Sequence, residues 1–408
     1  MSEQVVSLTS EIVSDPAQYT ELREQGLTRA TLPDLETPVW LITRYEEAKA
    51  ALTDPRFVRD SSKLPGQDGP SIADQMIEAY GLPADYSPYL GILVLADGEE
   101  HARLRNLITR SFTARRIAGL RPQIEQIVDD LYAKLAAKGE GDLLEELGYP
   151  LAATVICELI GIDKQHHAQM TKWIREYASG DPELFIPALK GMVEHCKDLI
   201  VRRREEPAED LISELVRAAD EEEDALTETE IVAVFLLLIN TGITPPATFI
   251  CDSILTLFDH SEQLDKLRQE PELLATRAIP ELLRFTSPVP MGAPLYATED
   301  MEFGGCPIKQ GDVVTGSLMG VNHDPAEFEA PDKLDISRKL GRGVGHLALG
   351  HGAHYCIGAA LARLETEVVL DRLLIKHDGL ELAVPRDELV YKPLPGEGIH
   401  LAALPVRF

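Results

Sequence analysis

The sequence predicts a mainly α fold with small β-sheets (α+β), in one domain over residues 1–408. Three observations predict it. Helix-length apolar-periodic stretches follow one another from Asp97 to Leu257, joined by short polar links. β-type runs are short and confined to the flanks: Pro38–Thr43 near the start, Pro294–Ala297, Met301–Phe303 and Val313–Leu318 later, and the chain after Lys376. A glycine-rich loop around Cys356 precedes the last long helical pattern.

Composition bounds the class. With 44% hydrophobic and 26% charged residues the chain is ordinary for a soluble globular protein, and at 408 residues it can bury a large core. Met1–Tyr19 is polar, without a signal core, and no stretch reaches the roughly 18 unbroken apolar residues of a membrane span. The expectation is a cytoplasmic monomer without membrane insertion. A net charge of −29 excludes nucleic acid as a partner, because phosphate binding needs clustered Lys and Arg. Cys157, Cys196, Cys251, Cys306 and Cys356 are scattered, without the close pairing of a zinc site.

Taken in order, Pro38–Thr43 is a strand at the edge of a small sheet, and Tyr45–Leu52 a helix closed by Asp54-Pro55. Ser61–Leu95 shifts to Pro, Gly, Tyr and Asp, with Met76, Tyr80, Tyr86, Pro88, Tyr89, Leu90 and Ile92, and reads as a binding loop. A helix from Asp97 to Arg110 carries His101 and Arg105 at i and i+4, two donors on one face able to clamp an anion. Helices follow over Ile117–Ala137, Tyr149–Ile160, His167–Ala178, Pro187–Glu206 and Asp210–Asp220. The acidic run Asp220–Asp224 is a solvated connection. Thr227–Glu230 fits a capping box ahead of the almost wholly apolar Ile231–Leu257, a helix that belongs at the centre of the protein. Pro245 and Pro246 remove the N–H groups that would bond Thr241 and Gly242, at about 3 kcal/mol each, and predict a break or bulge there.

The stretch from His346 to Ala360 has the chemistry of a cofactor cradle. A thiol at a helix N-terminus has its thiolate, the metal-binding form, favoured by the helix dipole. Gly350, Gly352 and Gly358 let the backbone turn sharply and a flat ligand approach.

In combination and order these motifs resemble the cytochrome P450 family, in its soluble bacterial form, over essentially the whole chain. Gly350, Gly352, His354, Cys356 and Gly358 match the haem-binding loop, with Leu349 in the place of its Phe. Glu281 and Arg284 match the Glu-x-x-Arg motif, and His101 and Arg105 the His-x-x-x-Arg clamp. Asn322–Pro325 and Pro331–Asp335 match the segment before the haem loop. The resemblance implies a P450 fold, with a long central helix over haem b and the cysteine loop beneath, and Cys356 as the proximal ligand of the iron. His101, Arg105 and His354 would bind the haem propionates. Leu349, Gly350, Gly358 and Leu295 would border the haem, and Glu281 and Arg284 would be structural.

The departures are as specific. Leu295 stands where an arginine commonly reaches a propionate, and Lys333 where a second arginine meets Glu281 and Arg284. The central helix lacks the acid of the Ala-Gly-x-acid-Thr-Thr pattern. Aligned from downstream, Thr241-Gly242 takes the Ala-Gly place, Thr244 the acid's and Pro245 the threonine's; aligned from upstream, Thr244 keeps the alcohol's place and Ile243 replaces the acid. The catalytic candidates are therefore Thr244, Thr241 and Gly242. Lining candidates for the substrate are Tyr89, Leu90, Ile239, Ile243, Val289 and Pro290, with Trp173, Tyr177 and Phe185 between two mid-chain helices. The expected activity is hydroxylation or epoxidation of a small, largely apolar natural-product intermediate, of the kind met in antibiotic biosynthesis. Electrons would come from NAD(P)H through a ferredoxin reductase and ferredoxin, docked on a basic patch of Arg110, Arg115, Arg116, Lys339, Arg342 and Arg363. Oxidative coupling or peroxide-driven oxidation without oxygen insertion, and haem binding without turnover, are the alternatives.

Overall fold

The computed structural model describes residues 5–408 apart from 34–36, 62–63, 65–77, 79–80, 83, 91, 180, 222–225, 340–344, 378 and 395–397. Met76, Tyr80 and Arg342, named above, lie outside the described residues, as does part of the acidic run before the central helix. The chain forms two compact units, each assembled from three stretches of sequence: Met1–Glu78, Leu255–Cys356 and Lys392–His400 in one, Ala79–Ile254, Ile357–Tyr391 and Leu401–Phe408 in the other.

The first unit is built on a six-stranded sheet in the order Val6–Ser7, Thr28–Thr31, Val39–Ile42, Val313–Gly316, Leu295–Ala297, Phe57–Val58. Val39–Ile42 runs antiparallel to Thr28–Thr31 and parallel to Val313–Gly316, with Trp40 beside Val314. All four of its residues are buried, because side chains alternate between faces and both faces are covered. Trp40 and Ile42 pack with Tyr45, Ala48, Phe57 and Leu295, whereas Leu41 packs on the other side with Leu8, Val13 and Tyr19. This is a core strand rather than the sheet edge the sequence suggested. Two short helices matter for the site, Tyr45–Ala51 and Ile279–Thr286.

The second unit is helical. Its principal helices are α1 (Gly98–Thr109), α2 (Arg121–Lys138), α3 (Tyr149–Ile160), α4 (Lys164–Ala178), α5 (Pro182–Glu205), α6 (Leu211–Glu221), α7 (Glu228–Asp259, whose last five residues belong to the first unit) and α8 (Ala359–Leu370). Gly161, at φ 106°, ends α3 in a left-handed turn that a Cβ would oppose. Between α4 and α5, Tyr177 stacks on Phe185 at 4.6 Å, and Gly191 leaves room for Trp173, whose ring an added Cβ would meet at 2.4 Å. The three aromatic side chains offered as pocket lining thus make the packing of α4 on α5.

α7 starts with the predicted capping box: Glu230 N–H donates to Thr227 Oγ1 at 3.2 Å and Thr227 N–H to Glu230 Oε2 at 2.6 Å. It is long and apolar enough to cross a membrane, but its most apolar window is 72% buried within the protein, as suits a core helix. It does not break at Pro245 and Pro246 but runs unbroken from Glu228 to Asp259. Burial of Ile239, Ile243, Ala247, Ile250 and Ile254 on its flanks outweighs two absent backbone bonds. The carbonyls of Thr241 and Gly242 are left without the N–H groups that an uninterrupted ladder would supply.

Candidate active site

In the first unit, the cysteine loop is held by a buried polar chain. Glu281 and Arg284, one turn apart on Ile279–Thr286, are both fully buried, and Arg284 donates to Glu281 from Nε and Nη2, each at 2.8 Å. Its remaining nitrogen, Nη1, donates to the carbonyl of Asn322 at 2.8 Å. The Asn322 side chain donates to Ser287 Oγ at 2.9 Å and accepts from the N–H of Leu347, at the entrance to the loop, at 2.8 Å. Sequence comparison put Lys333 in the place of a second arginine; the structure puts Arg338 there. Its Nε lies 3.1 Å from both Glu281 oxygens, and its other nitrogens donate to the carbonyls of Glu329, Ala330 and Lys333. Arg338 stands one turn beyond the motif, so position alone pointed to the wrong residue. Burial and the Arg284 guanidinium lower the pKa of the adjacent His323 to about 4, keeping it neutral.

Cys356 N–H donates to the carbonyl of Leu349 at 2.9 Å, closing the loop on itself. Gly350 and Gly352 sit at φ 73° and 70°, and a Cβ on Gly352 would press to 3.2 Å from the Leu52 carbonyl and 3.1 Å from Thr53. Of the five cysteines only Cys356 is exposed. Burial pushes the Cys157 thiol up to about 12 and those of Cys196 and Cys251 well above the ordinary value, so these remain protonated. Among the described residues no group of three or more His, Cys, Asp or Glu side chains is placed to hold a metal ion. An accessible thiol on a glycine-lined loop fits iron carried in a macrocycle and ligated from one side by sulfur. His354 is half-buried in the same loop, and Gly358 accepts the first bond of α8 from Ala362. Leu295 is a core strand residue opposite Val314, Val289 is partly accessible and Pro290 is buried.

In the second unit, His101 is buried and Arg105 half-buried on successive turns of α1. The neighbouring Arg103 pairs with Glu230, tying α1 to the start of α7. α7 presents two sides. Gly242 packs against Ile156 of α3, where an added Cβ would come within 2.8 Å, and Ala247 lies against Gly148. The opposite side, at about 100° per residue, carries Leu237, Thr241 and Pro245, which keep accessible surface, with Asn240 at its margin; Gly242 and Asp252 are partly accessible as well. Ile239 and Ile243, read from sequence as lining, are fully buried on the α3 side. Their apolar character is shared by lining and core, and only the phase of the helix separates the two. Leu237 and Asn240 were missed for the same reason. Thr241 Oγ1 donates to the Leu237 carbonyl at 2.7 Å, and Thr244 is buried, with no hydrogen-bond partner for its hydroxyl among the described residues. Tyr89 packs edge-on to Tyr86 at 6.0 Å with Lys197 of α5 over its ring, and Leu90 beside it is partly accessible. In the expected basic patch, Arg116 is already paired with Glu214 at 2.5 Å.

A profile of the family described as Cytochrome P450 matches residues 170–378. The chain is 39% identical over 378 residues to Cytochrome P450 107B1 of Saccharopolyspora erythraea, covering 92% of this chain and 90% of that protein. It is 36% identical over 376 residues to the Vitamin D(3) 25-hydroxylase of Pseudonocardia autotrophica, covering 92% and 89%. Among solved structures it resembles the cytochrome P450 PksS of the Bacillus subtilis 168 bacillaene polyketide synthase, with a TM-score of 0.85, 33% identity, and 98% and 97% of the two chains covered.

Proposed function

The chain belongs to the cytochrome P450 family of haem-iron oxidoreductases, and from that membership we propose that it is a monooxygenase that hydroxylates or epoxidises a small, largely apolar natural-product intermediate. The observation that carries the reading is the exposed Cys356 thiol on a braced glycine loop, the other cysteines being buried or half-buried. When bound, the haem supplies dioxygen activation. Cys356 would ligate its iron, and His101, Arg105 and His354 would neutralise its propionates by charge-assisted bonds. Leu237, Asn240, Thr241 and Pro245 on α7, with Tyr89 and Leu90, would line the substrate site; one amide, two hydroxyls and several apolar groups suit an apolar molecule with a few oxygen anchors. NAD(P)H, a ferredoxin reductase and a ferredoxin would supply electrons. The unbroken phase of α7 supports the downstream register, with Pro245 on the accessible side and Thr244 in the acid's place.

Incubation of the haem-loaded enzyme with 18O2, NAD(P)H and both electron carriers, against a panel of polyketide and secosteroid compounds, tests this: product should carry one 18O atom. Product lighter by two hydrogens and without label would favour oxidative coupling, the reading motivated by Pro245-Pro246 and the absent acid.

A further inference from the structure

In phase with the accessible side of α7, a polar line runs past the proline pair, buried at Thr244 and Thr248 and partly accessible again at Asp252, and the proposed function leaves it unused. Thr241, Thr244, Thr248 and Asp252 fall within about 80° of one another around the helix axis. Thr248 stands one turn from Thr244 on one side and one turn from Asp252 on the other. Its hydroxyl points back along the helix, donating to the carbonyls of Thr244 and Pro245, each at 3.1 Å. Thr244 is buried, and its hydroxyl has no partner among the described residues. The Thr241 and Gly242 carbonyls beside it lose their i+4 N–H donors to the prolines, which leaves them as acceptors to which water can bond.

Resting on the monooxygenase reading, we propose that Asp252 is the acid that feeds protons to the reaction along this line, in place of the carboxylate missing beside Thr244. Side chains at i and i+4 lie about 5–6 Å apart, a gap that one water bridges. The Asp252 O–H bond breaks and its proton passes to the bridging water, which gives a proton to Thr248 Oγ1. Thr248 passes its own to Thr244 Oγ1, by a second water where needed, and the Thr244 hydroxyl proton goes to the oxygen being reduced. The Asp252 carboxylate then takes a proton from bulk water. Two such cycles, with two electrons from NAD(P)H, turn one dioxygen and one C–H bond into an alcohol and a water. Without substrate the same two protons and two electrons turn dioxygen into hydrogen peroxide. Asp252 is thus a proton-supplying residue acting through Thr248 and Thr244.

The surroundings of Asp252 suit the task. Burial raises its pKa to about 7 against the opposing pull of Arg386, the cation facing it from the turn Arg386–Glu388. Part of its surface nevertheless stays accessible to water, so it can be recharged. The other ionisable groups of this neighbourhood are Cys251 beside it, whose buried thiol stays protonated, and Asp142, on the strand Glu140–Asp142. It is protonated below about pH 7 and empties above, so proton supply should fall as pH rises through neutrality.

The test uses haem-loaded wild-type, D252N and D252E proteins and, as a control for the buried carboxyl of Glu365 on α8, E365Q, with dioxygen itself as the probe. The reduced carbon-monoxide spectrum first confirms the haem-thiolate state; its absence in wild type would overturn the monooxygenase reading rather than this one. In infrared difference spectra, wild type minus D252N should show a protonated-carboxyl band that disappears with a midpoint near pH 7. Dioxygen consumption driven by NADPH, reductase and ferredoxin at pH 6.5 should fall about tenfold or more in D252N, lose its alkaline decline and change its solvent isotope effect, with D252E retaining the pH profile. A carboxyl band that does not titrate between pH 6 and 8, or a pH profile that is unchanged in D252N and moved in E365Q, overturns the proposal. Should D252N fail to load haem, the infrared difference of wild type minus D252E, in which the titrating carboxyl band should shift, and the D252E pH profile decide alone.

Discussion

Glu365 offers the sharpest test of how the helical unit is held. It lies on α8, is fully buried, and neither carboxylate oxygen has a hydrogen-bond partner among the described residues. Desolvation pushes its pKa from 4.5 up to about 8. The folded protein therefore keeps a proton that the unfolded chain loses. Below pH 4.5 both states are protonated and Glu365 contributes nothing to the pH dependence. As pH rises through the window from 4.5 to about 8, folding stability falls by about 1.4 kcal/mol per unit, and above it the loss levels off at ~5 kcal/mol. E365Q removes the titration and keeps the shape. Its stability relative to wild type should grow by ~3 kcal/mol between pH 5.5 and 7.5, while the slope due to Asp252 cancels in the difference. Urea unfolding of the haem-loaded proteins, followed by fluorescence across pH 5–9, measures it. Parallel wild-type and E365Q profiles would refute the claim that Glu365 is buried neutral.

Three further expectations follow from the cysteine loop. R338A leaves Glu281 paired with Arg284 alone and should cost about 1.5–3 kcal/mol, and R338K should recover only part of it, since lysine lacks the planar fork; thermal melts of the three proteins decide this. G352A forces a Cβ onto a backbone at φ 70° and against the Leu52 carbonyl, so it should destabilise the loop by about 1–3 kcal/mol and lower haem retention on gel filtration, whereas wild-type retention would show that the loop relaxes. C356A should abolish the thiolate signature in the reduced carbon-monoxide spectrum, and its persistence would identify a different axial ligand.

Much of this was legible in the residues. The capping box at Thr227 and Glu230, the Glu281–Arg284 pair, the bounds of Tyr149–Ile160 and Met301–Phe303, and the single cysteine among glycines are local signals, each produced by groups a few residues apart. What could not be read depends on direction in space. Ile243 and Leu237 are equally apolar, yet one faces α3 and the other the accessible side. Lys333 and Arg338 are both cations in one polar segment, and only the turn between them decides which reaches Glu281. Pro245 and Pro246 predict a break on local energetics, which the packing of the same helix overrides.

The sequence by itself determined the family, and it singled out one cysteine among glycines and a central helix with no carboxylate at Ile243 or Thr244, because these are matters of residue type and short spacing. Only the tertiary structure decided that α7 stays whole, which of its sides is packed, and that a carboxyl two turns beyond Thr244 shares the line of Thr241 and Thr248. The physical reason is cooperative burial: the phase of a helix is set by the neighbours its apolar side meets, and those neighbours come from stretches far away in the chain.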